Sequence, residues 1–133
     1  MSEKLIDQFQ SNQYASEAQE RWPNQYVESQ QRLKRLSKDE QQALFEAGNQ
    51  NHVDLAELFK AGESAESEAV QLAIGKHYKW VAAFWTPNRE AYIGLGEMYV
   101  ADPRFTANYD KFAPGLAVFM RDAMRIWGNA NLA

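Results

Sequence analysis

Nearly every strong local signal in this chain is a helix start or a helix stop, and that punctuation leaves little room for any other secondary structure. Trp22-Pro23 allows a helix to begin near Pro23 and run through VESQQRLKR. Ser37-Lys38-Asp39-Glu40 has the pattern of a capping box, in which serine and glutamate satisfy each other's free backbone N–H groups. The helix it opens should reach about Lys60, with Leu44, Ala47, Gly48, Asn51, Leu55 and Leu58 on one face and Gly62 as terminator. Ser64 or Ser67 caps the next helix, whose acidic start at Glu63, Glu66 and Glu68 suits the helix dipole. Thr86-Pro87 and Asp102-Pro103 each supply an N-cap followed by proline at the first helical position, and Pro114 opens the last helix. No segment shows sustained two-residue alternation with β-branched enrichment. The pattern predicts an all-α chain of roughly five to seven helices.

The 133 residues, 45% of them hydrophobic, suffice for one core, so a single compact domain over 1–133 is expected. The composition is uneven. Of seventeen aromatics, eleven lie in residues 77–133, whereas the first 50 residues hold ten glutamines. Core material therefore concentrates in the back of the chain. There is no cysteine, which excludes disulfides, thiolate metal sites and cysteine nucleophiles and fits a reducing compartment. The start MSEKLIDQFQ has no apolar h-region and no run approaches the roughly 18 apolar residues of a membrane span, so a soluble, cytoplasmic protein with no membrane partner is expected. Net charge is −4 with scattered basic residues, which argues against direct nucleic-acid contact. Residues 1–21 carry Leu5, Ile6, Phe9 and Tyr14 diluted among polar residues. Such a segment either frays or gains order only when it docks on something, as on ligand binding.

Three groupings bear on function. Val70, Ile74, His77, Val81 and Phe84 or Trp85 form one apolar stripe, and by VAAFW the helix is apolar all round, which implies burial or a cavity wall. Tyr92, Leu95, Gly96 and Tyr99 share a helix face, while Gly94 opens a different side. Each glycine costs roughly 1 kcal/mol against alanine in a helix interior. It permits either close helix packing or a groove in which a flat ligand lies on bare backbone beside tyrosines. His77, Tyr78, Trp80, Phe84, Trp85 and Tyr92 are either core or, given the polar tips of tyrosine and tryptophan, a pocket wall. A di-iron bundle fails, because Glu-x-x-His repeats are missing: position 74 is Ile and position 49 is Asn. His77 is better read as a hydrogen-bonded structural histidine than as a haem ligand. Glu90, Glu97 and Asp102 lack a nucleophile, metal cluster or phosphate loop beside them, and pairing with Arg104 or Arg121 accounts for them more simply than catalysis.

The run LGEMYVADPRFTANYDKFAPGLAVFMRDA at 95–123 resembles the signature of the TipAS family, the antibiotic-recognition domain at the C-terminus of certain MerR-type transcriptional activators. RWPNQYVESQ at 21–30 matches that domain's entry, and the resemblance spans roughly residues 3–129. It implies a globin-like helical fold without haem, no resident cofactor, and a cleft lined by apolar and aromatic side chains for bulky, often peptidic antibiotics. It also implies an N-terminal segment that is mobile when empty and closes over ligand. Some thiopeptide-binding members trap their ligand through a cysteine just before L-G-E-M-Y. Here Gly94 precedes Leu95 and cysteine is absent, so binding should be noncovalent. No helix-turn-helix precedes the domain in this sequence, so a stand-alone binder, a separately translated sensor and an excised sensor domain all stay open.

Together these readings give a non-enzymatic receptor, monomeric as an isolated domain, serving either drug sensing or drug sequestration. Its expected ligand contacts are Trp22, Tyr26, His77, Trp80, Phe84, Trp85, Tyr92, Gly96, Tyr99 and Phe119. If Trp80 and Tyr99 line a groove, alanine at either should weaken binding more than stability. The rival reading is an interaction module whose aromatic groove takes a partner helix.

Overall fold

The computed structural model describes residues 23–133; Trp22 and the segment 1–21, with the expectations placed on them, lie outside the described residues. Six α-helices and no strand are present among the described residues: α1 (Pro23–Arg35), α2 (Lys38–Lys60), α3 (Glu68–Ala82), α4 (Arg89–Ala101), α5 (Pro103–Asp110) and α6 (Leu116–Asn131).

Most boundaries form where the sequence places them. The Ser37 hydroxyl accepts from the Glu40 N–H at 3.1 Å while the Glu40 carboxylate accepts from the Ser37 N–H at 2.9 Å, a complete capping box. The far end of α2 is a Schellman motif: Gly62 takes φ +85°, its N–H bonds the Phe59 carbonyl, and the Glu63 N–H bonds the Leu58 carbonyl. Ser67 caps α3 through the Val70 N–H, and Asp102 caps α5 with Pro103 behind it.

Two boundaries differ from expectation. Helix α4 starts at Arg89, because the Asn88 side chain caps the Ala91 N–H at 2.9 Å. The Thr86 hydroxyl is instead a hydrogen-bond acceptor for Arg32. Helix α6 starts at Leu116 rather than at Pro114; Gly115 turns the chain at φ +93°, and the Asp110 carboxylate bonds the Ala117 N–H from outside the helix.

The described residues fall into two compact units. The first comprises 23–48 and 80–86. Leu33, Phe45 and Phe84 are buried at its centre, with Leu44, Trp80 and Trp85 packed against them partly buried. Trp80 lies across Gly48, where a Cβ would stand 2.5 Å from the indole, and its Nε1 donates to the Leu44 carbonyl at 3.0 Å. Gly48→Ala must therefore displace the indole. The expected net effect is a lowered melting temperature, since overpacking of about 1–3 kcal/mol outweighs the helix-propensity gain of about 1 kcal/mol. Thermal unfolding followed by tryptophan emission checks this.

The second unit comprises 49–79 and 87–133 and is built on α6, whose Leu116, Ala117, Met120, Ala123 and Met124 are fully buried. Helix α4 approaches α6 at two glycines. A Cβ on Gly96 would stand 3.3 Å from the Arg121 Cα and the Met124 sulfur, and one on Gly128 would stand 3.1 Å from Ile93. Helix α3 joins α6 through Gln71 Nε2 and the Ala123 carbonyl (3.2 Å), and joins the second half of α2 through Asn51 Nδ2 and the Ala73 carbonyl (2.9 Å). The apolar stripe of α3 is buried as its spacing predicts, at Val70, Ile74, His77 and Val81; in the corner beyond it Phe84 goes inward rather than Trp85. On α2, Ala47 is exposed, and Phe45 and Ala56 are buried in addition to Leu55.

Candidate functional site

The residues expected to contact ligand divide between the two units. In the first, Tyr26, Trp80 and Trp85 are half-buried and Phe84 is buried. Trp80 and Phe84 meet edge to face at 5.2 Å, and Phe84 reaches Phe45 at 6.2 Å. The indoles pack on the buried phenylalanines and stay partly exposed.

In the second unit His77, Tyr92 and Tyr99 come together in the interior. His77 has no exposed surface. Its Nδ1 lies 2.8 Å from the Tyr92 hydroxyl and its Nε2 lies 3.4 Å from the Tyr99 hydroxyl. Tyr109, which spacing did not single out, completes the group: it hydrogen-bonds Tyr99, with ring centroids 4.3 Å apart. With Tyr109 donating to Tyr99, Tyr99 donating to Nε2 and Nδ1–H donating to Tyr92, each imidazole nitrogen has a partner and the ring is neutral. Burial, and then His52, hold His77 down at about 3; burial, and then Lys111, hold His52 at about 4. Burial also raises all three tyrosines above their ordinary range. An imidazole with a tyrosine hydroxyl at each of its two nitrogens is the geometry of a structural histidine.

The glycines answer to different surroundings. Gly96 is a close-packing position, its missing Cβ occupied by α6, so the groove expected beside it is filled there by Arg121 and Met124. Gly94 is exposed with nothing within 4 Å of its absent Cβ, in a shallow depression lined by Arg89, Glu90, Ile93 and Glu97 rather than by tyrosines. Phe119 packs on Phe59 at 4.8 Å. Asp102 pairs with Arg104 at 2.7 Å, and Arg121 with Asp122 at 3.1 Å. Among the described residues, no group of three or more His, Asp or Glu side chains is placed to hold a metal, and no helix is long and apolar enough to cross a membrane.

Sequence comparison supplies what geometry alone does not. Residues 14–127 match the TipAS antibiotic-recognition domain. The chain belongs to the TipAS family. It is 35% identical over 124 residues to the HTH-type transcriptional activator TipA of Streptomyces coelicolor, covering 91% of this chain and 49% of TipA. It is 39% identical over 74 residues to the HTH-type transcriptional regulator SkgA of Caulobacter vibrioides, covering 54% of this chain and 29% of SkgA. The chain thus spans about half the length of TipA or less of such relatives. The solved structure of Streptomyces lividans TipAS in complex with nosiheptide, described as part of a thiopeptide antibiotic multidrug resistance system, superposes with a TM-score of 0.81 at 32% identity. That match covers 98% of this chain and 95% of the other. The all-α TipAS fold is therefore shared by this chain.

Sequence reading passed over Tyr109 and Arg32, and took up His52 only to dismiss it as a di-iron ligand. Tyr109 and His52 lie on other helices than Tyr92 and Tyr99, so no single helical period links them.

Proposed function

We propose that this chain is a receptor that binds bulky peptidic antibiotics of the thiopeptide kind, reversibly and without catalysing a reaction on them. The observation that carries this reading is the end-to-end structural match to a nosiheptide-bound TipAS, taken with half-buried indoles at Trp80 and Trp85. Large flat ligands gain from stacking on such faces while water is displaced. The absence of cysteine supports a noncovalent complex, since no thiolate is available to add to an activated alkene. In a TipA-like regulator, ligand capture here would be read out by an HTH part elsewhere in the chain, and DNA contact belongs to that part.

The test is a tryptophan-fluorescence titration with nosiheptide, with a thermal shift and an intact-mass measurement alongside. Saturable quenching is expected. At free ligand near 100 times Kd, stability should rise by about 2.7 kcal/mol, and the mass after denaturation should be unchanged. A covalent adduct would overturn the reversible reading. A flat response across thiopeptides and other bulky peptides would move the assignment to a protein partner.

A further inference from the structure

We propose that Arg32 is a positioning residue for recognition, fixing the corner 82–86 that presents Trp85 and ends the helix bearing Trp80. This rests on the antibiotic-binding reading above. Helix α3 stops at Ala82, and the carbonyls of a last helical turn have no partners within the helix. For the Ala82 carbonyl, a guanidinium on α1 is that partner. Arg32 donates through Nη1 to the Ala82 carbonyl and through Nη2 to the Thr86 hydroxyl at 3.1 Å; the Glu28 carboxylate, one turn earlier on α1, accepts from Nη2 as well.

A single planar fork thus ties both ends of the corner to α1. Between those ends the backbone is held by the bonds of the terminating helix, Ala83 N–H to the Trp80 carbonyl and both Phe84 N–H and Trp85 N–H to the Val81 carbonyl. Phe84 is anchored by its own burial against Leu33 and Phe45, but Trp85 is only partly covered. The direction of its indole therefore depends in part on the corner's backbone, whose two ends Arg32 ties to α1. Lysine could keep the ion pair with Glu28 but could not span the carbonyl and the hydroxyl at once, because its ammonium is a point donor on a flexible stem.

The experiment uses the full chain with nosiheptide as the probe, comparing Arg32→Lys, Arg32→Ala, Thr86→Val and Arg32→Ala/Thr86→Val. Far-UV circular dichroism reports folding, near-UV circular dichroism reports the indoles, and titration reports affinity. Arg32→Ala and Arg32→Lys should each weaken nosiheptide binding on the order of tenfold while remaining helical, with altered indole bands. Thr86→Val should weaken it less, and the double variant should bind no worse than Arg32→Ala alone, because both substitutions break one linkage. Wild-type affinity and indole bands in Arg32→Lys would overturn the proposal by showing that charge alone suffices. So would additive losses in the double variant. If Arg32→Ala fails to fold, Thr86→Val decides: unchanged indole bands there overturn the assignment. If the native chain does not bind nosiheptide, the antibiotic reading falls, while the near-UV comparison still decides whether Arg32 holds the corner.

Discussion

Tyr99→Ala is expected to cost about 3–5 kcal/mol of folding stability, a large part of the roughly 5–15 kcal/mol typical of a domain. The phenol ring is 3% exposed and packs within 4.3 Å of the Tyr109 ring centroid, so its removal opens a cavity that the surrounding helices cannot fill without moving. The hydroxyl also links Tyr109 to His77, and both lose a partner inside the unit. Tyr99→Phe keeps the ring and should cost only the hydrogen bonding, about 1–3 kcal/mol. Urea unfolding midpoints measure both. Trp80→Ala, at a half-buried indole, should be read in the same experiment with nosiheptide titration beside it. The contrary result for Tyr99 is an unchanged midpoint with lost affinity; it would place the tyrosine on the ligand surface, one of the two readings its helical spacing beside Gly96 left open.

Acidification should destabilise this protein before its carboxylates titrate. His77 is held at about 3 and His52 at about 4 in the folded chain, against about 6.5 when unfolded. Below pH 6.5 the unfolded chain therefore binds more protons than the folded one, and stability falls as pH falls. Above 6.5 the contribution is complete. Each histidine supplies a slope of up to about 1.4 kcal/mol per pH unit, so roughly 2–4 kcal/mol should be lost between pH 6.5 and 5. The groups facing His77 are the Tyr92 and Tyr99 hydroxyls and the His52 ring 6.2 Å away, and Lys111 acts on His52; none of these offers a negative charge to a proton on His77. The check is a set of urea midpoints at pH 7, 6 and 5. His52→Phe should remove about half of the slope. Flat midpoints from pH 7 to 5 would show that the two imidazoles are not buried in neutral form.

Much of the architecture is legible in residues that act locally. Ser37 with Glu40, Gly62, Ser67 and Asp102-Pro103 satisfy orphan backbone groups with their own side chains or their own φ, so a short window contains the whole cause. Where the reading slipped, a competing partner came from elsewhere. Thr86 is not the cap of α4 because Arg32, far away in sequence, takes its hydroxyl. Pro114 does not begin α6 because Gly115 beyond it takes φ +93°, and the Asp110 carboxylate accepts from the Ala117 N–H.

The candidate site shows the same division. Spacing alone determined that Tyr92, Gly96 and Tyr99 share one face, that Val70, Ile74, His77 and Val81 share another, and that the chain is all-α. The run from Leu95 to Ala123 was long enough to carry the family with it. What those faces meet was decided only by tertiary structure. Gly96 lacks a Cβ for either a ligand or a helix, and it is Arg121 and Met124 that fill the space. The same holds for His77, whose ring would suit several chemistries until a tyrosine hydroxyl stands against each nitrogen. A helical period fixes direction about one axis, whereas burial, pKa and hydrogen bonding depend on which second helix arrives there.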